Sequence, residues 1–190
     1  MDERVIWPPR PARSGGRARR AESGAALVEF SLVVPVLVLL VFAIIDFGSI
    51  YNNYVAVRNG VREGARQGVV AQFGASNTCF GTHTFGVTPS ADVQDLMCLT
   101  KNRIGIDPTQ VYVNVQFDST YASGNGLIVC SITPVTSLSG LLGPFVNGHF
   151  LKSKTEMNIE QLSAVTETAG YENPPPGSNW SWCTPSNPSP

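Results

Sequence analysis

The feature that most constrains this chain is an unbroken apolar run, Ser31 to Ile45, entered through Gly24-Ala25-Ala26-Leu27-Val28-Glu29-Phe30. Phe30 to Ile45 carries no charge. As a helix rising about 1.5 Å per residue, Ala25 to Ile50 is long enough to cross about 30 Å of hydrocarbon. One carboxylate, Glu29, stands at the mouth of this segment. An ionised group at the centre of a bilayer helix costs roughly 2.5–3.5 kcal/mol on insertion scales. A carboxylate so close to the edge therefore needs a compensating partner. Pro35 interrupts the run; in lipid a kink is the expected effect.

Five arginines and no acid lie between Arg10 and Arg20. A basic head before an apolar run keeps its own side of the membrane cytoplasmic. A basic arm for nucleic acid is the poorer reading, because the apolar run follows so closely. Residues 1–24 are rich in Pro, Arg and Gly without an apolar period, and read as a leader or cytoplasmic tail. A cleaved secretory signal competes for the same segment. Val41-Phe42-Ala43 is a passable small-residue site, but Ile44-Ile45 follows it and the run is long for such a signal.

Past Asp46, which marks the outer edge, the helix is expected to continue to about residue 69. Tyr51, Tyr54 and Val55 recur at helical spacing, and Arg58, Arg62 and Arg66 form one stripe at i, i+4 and i+8. Glu63 lies three residues before Arg66, close enough for a weak surface pair. Gly60, Gly64 and Gly68 also recur every four residues, although each glycine costs a helix about 1 kcal/mol relative to alanine. Either another helix packs closely on that stripe, or the helix end frays there.

Residues 70–171 read as an exported α+β head. A polar loop from Gly74 to Pro89 leads to a short helix with Ser90 at its N-cap and Val93, Leu96, Met97 and Ile104 on its apolar face. Asp107-Pro108 is a turn. Val111 to Asp118 alternates as a half-buried strand, Gly124-Asn125-Gly126 turns, and Leu127 to Thr133 and Leu151 to Leu162 follow as strands, giving an antiparallel sheet of about three. Between the last two, Leu138, Leu141, Leu142 and Phe145 fall at helical spacing. They lie either over the sheet as a core lid or on the membrane surface. From 172 to 190 the tail is Pro-rich and cannot enter a sheet interior, yet it holds Trp180, Trp182 and Cys183.

All four cysteines, Cys79, Cys98, Cys130 and Cys183, follow the apolar run. That placement fits an oxidising compartment outside the membrane. No C-x-x-C is present, so zinc is a poor reading. We favour Cys79–Cys98 and Cys130–Cys183 among the three possible connectivities. A closed loop of about 20 residues would add about 3 kcal/mol on the chain-entropy model, and Cys183 would pin the tail to the head.

The chain carries no constellation for catalysis: no nucleophile elbow, phosphate loop or metal helix motif. His83, in a polar loop, and His149, at a strand edge, read as surface residues. Asn179-Trp180-Ser181 fits a glycosylation acceptor, a short and weak pattern. No cofactor, metal or catalytic residue is expected, and the chain reads as a non-enzyme.

Glu29 has a physical answer. A cut after Gly24 would give Ala25 a new α-amino group, at i and i+4 with Glu29 on one helical face. The carboxylate is then compensated by its own chain's amine or by that of a neighbouring subunit, which would make it a register device. Alternatively it snorkels to the cytoplasmic interface and pairs with Arg20 or a lipid headgroup.

The run Arg20-Ala21-Glu22-Ser23-Gly24, followed by Ala25-Ala26-Leu27-Val28-Glu29-Phe30, resembles the type IV prepilin processing site. From Gly24 to Arg66 the chain resembles the TadE-like family of tight-adherence (Tad/Flp) pilus pseudopilins. The matching pieces are Ala-Leu-Val-Glu-Phe, Pro35, Asp46-Phe47-Gly48 and Val61-Arg62-Glu63-Gly64-Ala65-Arg66. Leu141-Leu142-Gly143-Pro144 is similar as well, though less diagnostic. The resemblance implies a minor pilin-like subunit, single-pass in the cell membrane with its N-terminus cytoplasmic and its head outside. A membrane prepilin peptidase would mature it. Other pilins, pseudopilins and inner-membrane assembly proteins would be its partners in a pilus used for adhesion or secretion. Gly24 carries over as the cut site, Ala25 as the new N-terminus and Glu29 as the assembly carboxylate. Asp46, where Glu is more usual, and the long Arg-rich leader depart from the family pattern. An uncleaved bitopic scaffold of the same envelope machine is the alternative.

Overall fold

The computed structural model describes residues 18–73, 79, 83–161 and 166–185, with side chains from Gly24 onward. Its first element is helix α1, Ala18–Val69, which runs through Pro35. The chain divides into two compact units within this helix, residues 1–42 and 43–190. In the first unit the most apolar stretch of α1 buries none of its surface. Leu27, Leu32, Leu37 and Leu40 are all exposed. Among the described residues it is the one helix long and apolar enough to cross a membrane.

The second unit is α+β. After α1 come β1 (Phe85–Val87), α2 (Ala91–Ile104), a 3-10 turn (Pro108–Gln110), β2 (Tyr112–Phe117), β3 (Gly126–Pro134), α3 (Gly143–Val146), β4 (Phe150–Asn158) and β5 (Gly170–Glu172). The strands form one sheet in the order β1-β5-β2-β3-β4, and every pairing is antiparallel. The sheet therefore has five strands, not the three the sequence suggests. Those two extra strands have only three residues each. Such pieces are too short to show an alternating pattern, and they are defined by pairing with each other rather than by local sequence.

β3 is buried on both faces along nearly its whole length. On one face Leu127 and Val129 join Val113 and Val115 of β2, Val57, Val61 and Ala65 of α1, and Val93, Leu96 and Met97 of α2 in a single core. On the other, Ile128 and Cys130 are covered by Cys183, Trp180 and Trp182 of the tail. The cysteines are joined as Cys79–Cys98 and Cys130–Cys183. Trp180 donates its indole N–H to the Glu172 carbonyl at 2.8 Å, so the Pro-rich tail is fastened over the sheet without entering it.

The glycines of α1 decide how α2 docks. A Cβ at Gly60 would lie 2.6 Å from the backbone nitrogen of Ile104, one at Gly64 would meet the Thr100 side chain, and one at Gly68 would lie 2.8 Å from Leu96. Gly60, Gly64 and Gly68 thus meet Ile104, Thr100 and Leu96 in reverse order, and two four-residue stripes mesh with no room for a methyl group. Close packing, rather than fraying, is the reason for this stripe. The end of α1 is also tied down: the Gly68 carbonyl accepts the Tyr121 hydroxyl at 2.7 Å, and the Val69 carbonyl accepts the N–H groups of Glu160 and Gln161 at 2.9 and 3.0 Å. These bonds satisfy carbonyls that a helix end leaves orphaned. Burial in this corner raises the Tyr121 phenol to about 12.

α2 begins after Ser90 and ends at Gly105, whose φ of 70° is the left-handed cap geometry that glycine adopts without strain. The Ser90 hydroxyl makes no bond to the helix it precedes. It donates instead to Glu167 at 2.6 Å.

His83 is not a surface residue, as its polar loop suggests. Its side chain is 6% exposed. The ring stacks on Tyr112 with centroids 4.2 Å apart, and Nε2 donates to the Thr109 carbonyl at 2.9 Å. Nδ1 lies 2.9 Å from Glu172 Oε1 and 3.1 Å from Lys101 Nζ. Lys101 donates to Glu172 Oε1 at 2.5 Å, and the Val113 N–H donates to Oε2 at 2.7 Å. The Glu172 carboxylate is thus answered by a backbone amide and an ammonium, with the His83 ring packed beside them, as burial of a charge requires. Burial lowers the pKa of Lys101, and Glu172 opposes that shift.

Candidate assembly site

The residues singled out by sequence fall into two groups along α1. Gly24, Ala25, Glu29 and Phe30 belong to the first unit and are exposed, as is Pro35. A side chain at Gly24 would meet nothing within 4 Å, and the Gly24–Ala25 bond lies within α1. Pro35 has no N–H, so the carbonyl of Ser31 lacks the donor a helix would normally supply. The Ser31 hydroxyl itself donates to Val28 O at 2.8 Å.

Glu29 shares a helical face with Ala26, Phe30 and Val33, which line one shallow depression with it. Among the described residues it has no hydrogen bond or ion pair. Ala25 is one turn earlier on the same face. Ala26, Phe30 and Val33 beside this carboxylate are exposed, and among the described side chains none neutralises it.

Asp46, in the second unit, is the opposite case. It is completely buried, and its carboxylate accepts the Ser137 hydroxyl at 2.6 Å, the Ser139 hydroxyl at 2.7 Å and the Ser139 N–H at 2.8 Å. Three donors from a single loop replace the water this carboxylate would otherwise hold. The sequence placed Asp46 at the edge of the apolar run but did not identify this loop, 91 residues further on. The only local signal is the pair of hydroxyls two positions apart. The core-lid reading of the same loop fails: Leu138, Leu141 and Phe145 are 72%, 53% and 76% exposed.

Arg58, Arg62 and Arg66 form an exposed stripe on the side of α1 away from Gly60 and Gly64. The Arg58 guanidinium lies 5.6 Å from the centroid of the Tyr54 ring. Arg66 lies 3.6 Å from Glu63, a surface pair worth about 0–1 kcal/mol. These cations are not consumed by the fold, and a row of them can engage an acidic neighbour. The structure therefore brings Asp46, the glycines and the arginine stripe into one folded unit and leaves Glu29 unanswered in the other. Among the described residues no cluster of His, Cys, Asp or Glu is arranged to hold a metal ion.

Residues 24–66 match the family model described as TadE-like protein, over the stretch that carries the resemblance. The match covers the apolar run and most of the rest of α1, and none of the strands. Among curated proteins and among solved structures, nothing matches the chain.

Proposed function

We propose, from the likeness of residues 24–66 to the TadE-like family, that this chain is a minor pilin-like subunit needed to assemble a Tad-type adhesion pilus. Its role is structural and not enzymatic. α1 spans the cell membrane once, with the basic N-terminus cytoplasmic and the disulfide-bonded unit outside. A prepilin peptidase cuts between Gly24 and Ala25, and the new amine of Ala25, on the same chain or a neighbour, neutralises Glu29.

The observation that carries this reading is the state of Glu29 within the matched segment: exposed, without a side-chain partner among the described residues, and flanked by the exposed apolar side chains of Ala26, Phe30 and Val33. A lone carboxylate among lipid-facing residues is unfavourable, and a charge-paired subunit interface removes that cost.

Intact mass and N-terminal sequencing of the protein extracted from its host's membranes test the processing step. The expected chain begins at Ala25. A chain beginning at Ile44 would make the segment a secretory signal and remove the reading. A chain beginning at Met1 would favour the second reading, an uncleaved bitopic scaffold of an envelope assembly machine. That alternative draws on one feature, the continuity of α1 from Ala18 through Gly24.

A further inference from the structure

We propose that the loop 137–146 is a membrane-interfacial anchor. It holds Asp46 at the outer boundary of the bilayer and seats Leu138, Leu141 and Phe145 among the lipid headgroups and upper acyl chains.

The argument begins with length. Glu29 and Asp46 are 17 positions apart, about 25 Å of helical rise. The hydrocarbon core is about 30 Å thick, so a helix with Glu29 at the inner edge brings Asp46 to the outer edge before the lipid ends. Bilayers and proteins accommodate such a shortfall by thinning or by burying flanking groups. Asp46 is buried, but not in an apolar core: three donors from Ser137 and Ser139 surround its carboxylate. That solution suits a charge at a boundary where water is scarce.

The loop that supplies the donors exposes three large apolar side chains, Leu138, Leu141 and Phe145. No Asp, Glu, Lys or Arg occurs between Asp118 and Lys152. Leu138 sits between the two serines that grip Asp46, so it cannot leave the level of that carboxylate. Leu141 and Phe145 follow at helical spacing and are exposed. On α1 itself, Ile44, Ile45 and Phe47 on either side of Asp46 are exposed as well. The loop is therefore fixed by three hydrogen bonds to Asp46, the residue that follows the apolar run in sequence. Leu and Phe carried 5–10 Å into the headgroup boundary are the usual contacts of an interfacial segment. A protein partner has no comparable support, since the loop carries no charged side chain and both of its serine hydroxyls are engaged by Asp46.

This inference rests on the reading of α1 as a membrane helix, and the test separates the two. The full chain is placed in vesicles of phosphatidylethanolamine and phosphatidylglycerol with the photo-crosslinking residue p-benzoylphenylalanine at position 37, 145 or 102 in turn. Position 37 lies in the apolar run, position 145 in the loop, and position 102 on the exposed side of α2. Mass spectrometry is expected to find lipid adducts at 37 and 145 and none at 102. Lipid adducts at 37 with none at 145, or adducts from 145 to a second copy of the chain, overturn the anchor and leave the membrane helix standing. Absence of lipid adducts at 37 overturns both. In a Ser137→Ala/Ser139→Ala variant the adducts at 145 should be lost while those at 37 persist; an unchanged yield at 145 means that the grip on Asp46 does not place the loop.

Discussion

The two parts of α1 treat their side chains in opposite ways. Between Gly24 and Phe42 no side chain is buried and Glu29 has no partner among the described side chains. From Ala43 onward Val57, Val61 and Ala65 are buried, glycines seat a second helix, and Asp46 accepts three hydrogen bonds. One helix thus contains a half that completes a fold and a half that waits for something outside it. The difference lies in which neighbours the rest of the chain provides, since apolar residues abound in both halves. Among the described residues the second unit gives the fully buried carboxylates of Asp46 and Glu172 several donors each; Glu29 sits where an assembly would have to supply the cation.

The sharpest test of that contrast removes an internal answer. Lys101→Met leaves the buried Glu172 carboxylate short of its main cation and should cost about 3–5 kcal/mol, measured by denaturant unfolding with both disulfides intact. Lys101→Met with Glu172→Leu should recover part of the loss. It should not recover all, because the Val113 N–H then lacks its acceptor, a penalty of about 1–3 kcal/mol. If Lys101→Met were neutral, the claim that the second unit must pair its charges internally would fall.

A smaller effect is expected at the junction of the two regimes. Asp46→Ala deletes an acceptor of three bonds, and bonds to charged groups contribute about 1.5–3 kcal/mol each when singly tested. Because the three donors come from one short loop segment, Ser137 to Ser139, the net loss is expected near that range rather than at its triple. Hydrogen exchange should show faster opening of residues 137–146 and unchanged protection in β3.

The glycines then separate packing from propensity. Gly60→Ala places a methyl group 2.6 Å from the backbone nitrogen of Ile104; overpacking of this kind costs about 1–3 kcal/mol, offset by about 1 kcal/mol of helix propensity. Gly48→Ala, in the same helix with nothing within 4 Å, should gain the propensity term alone. Thermal unfolding that moved both variants in the same direction would mean that the stripe is not where α2 docks.

What the sequence discloses follows the range of each interaction. The membrane-length helix, the glycine period, α2 and the strands near residues 112–117, 126–134 and 150–158 are written in local patterns that repeat over many residues. The partner of the glycine stripe is written nowhere near it, since Ile104 and Gly60 meet only when the chain folds back. Lys101 and Glu172 look like ordinary solvated charges because they are separated by 71 positions. Gly170–Glu172 makes a strand by pairing with β1 and β2, and its own composition does not demand one. Asp46 is legible as a boundary residue. The loop that shields it is legible only as an apolar stretch, and exposure rather than burial turns out to be its condition.

The smallest expected effect on the isolated chain is the most informative. Glu29→Gln keeps the shape of the side chain and removes its charge. Because Glu29 touches no partner among the described residues, unfolding of the second unit should shift by less than about 0.5 kcal/mol, as for surface substitutions generally. Insertion in the membrane should become slightly easier, since the ionised group is gone. On the proposed function, pilus formation by a host carrying only this variant should nevertheless fail, because a new amine at Ala25 would then meet a neutral amide. A variant that assembles normally would show that the exposed half of α1 needs no charge partner, and the contrast between its two halves would reduce to one of lipid against protein.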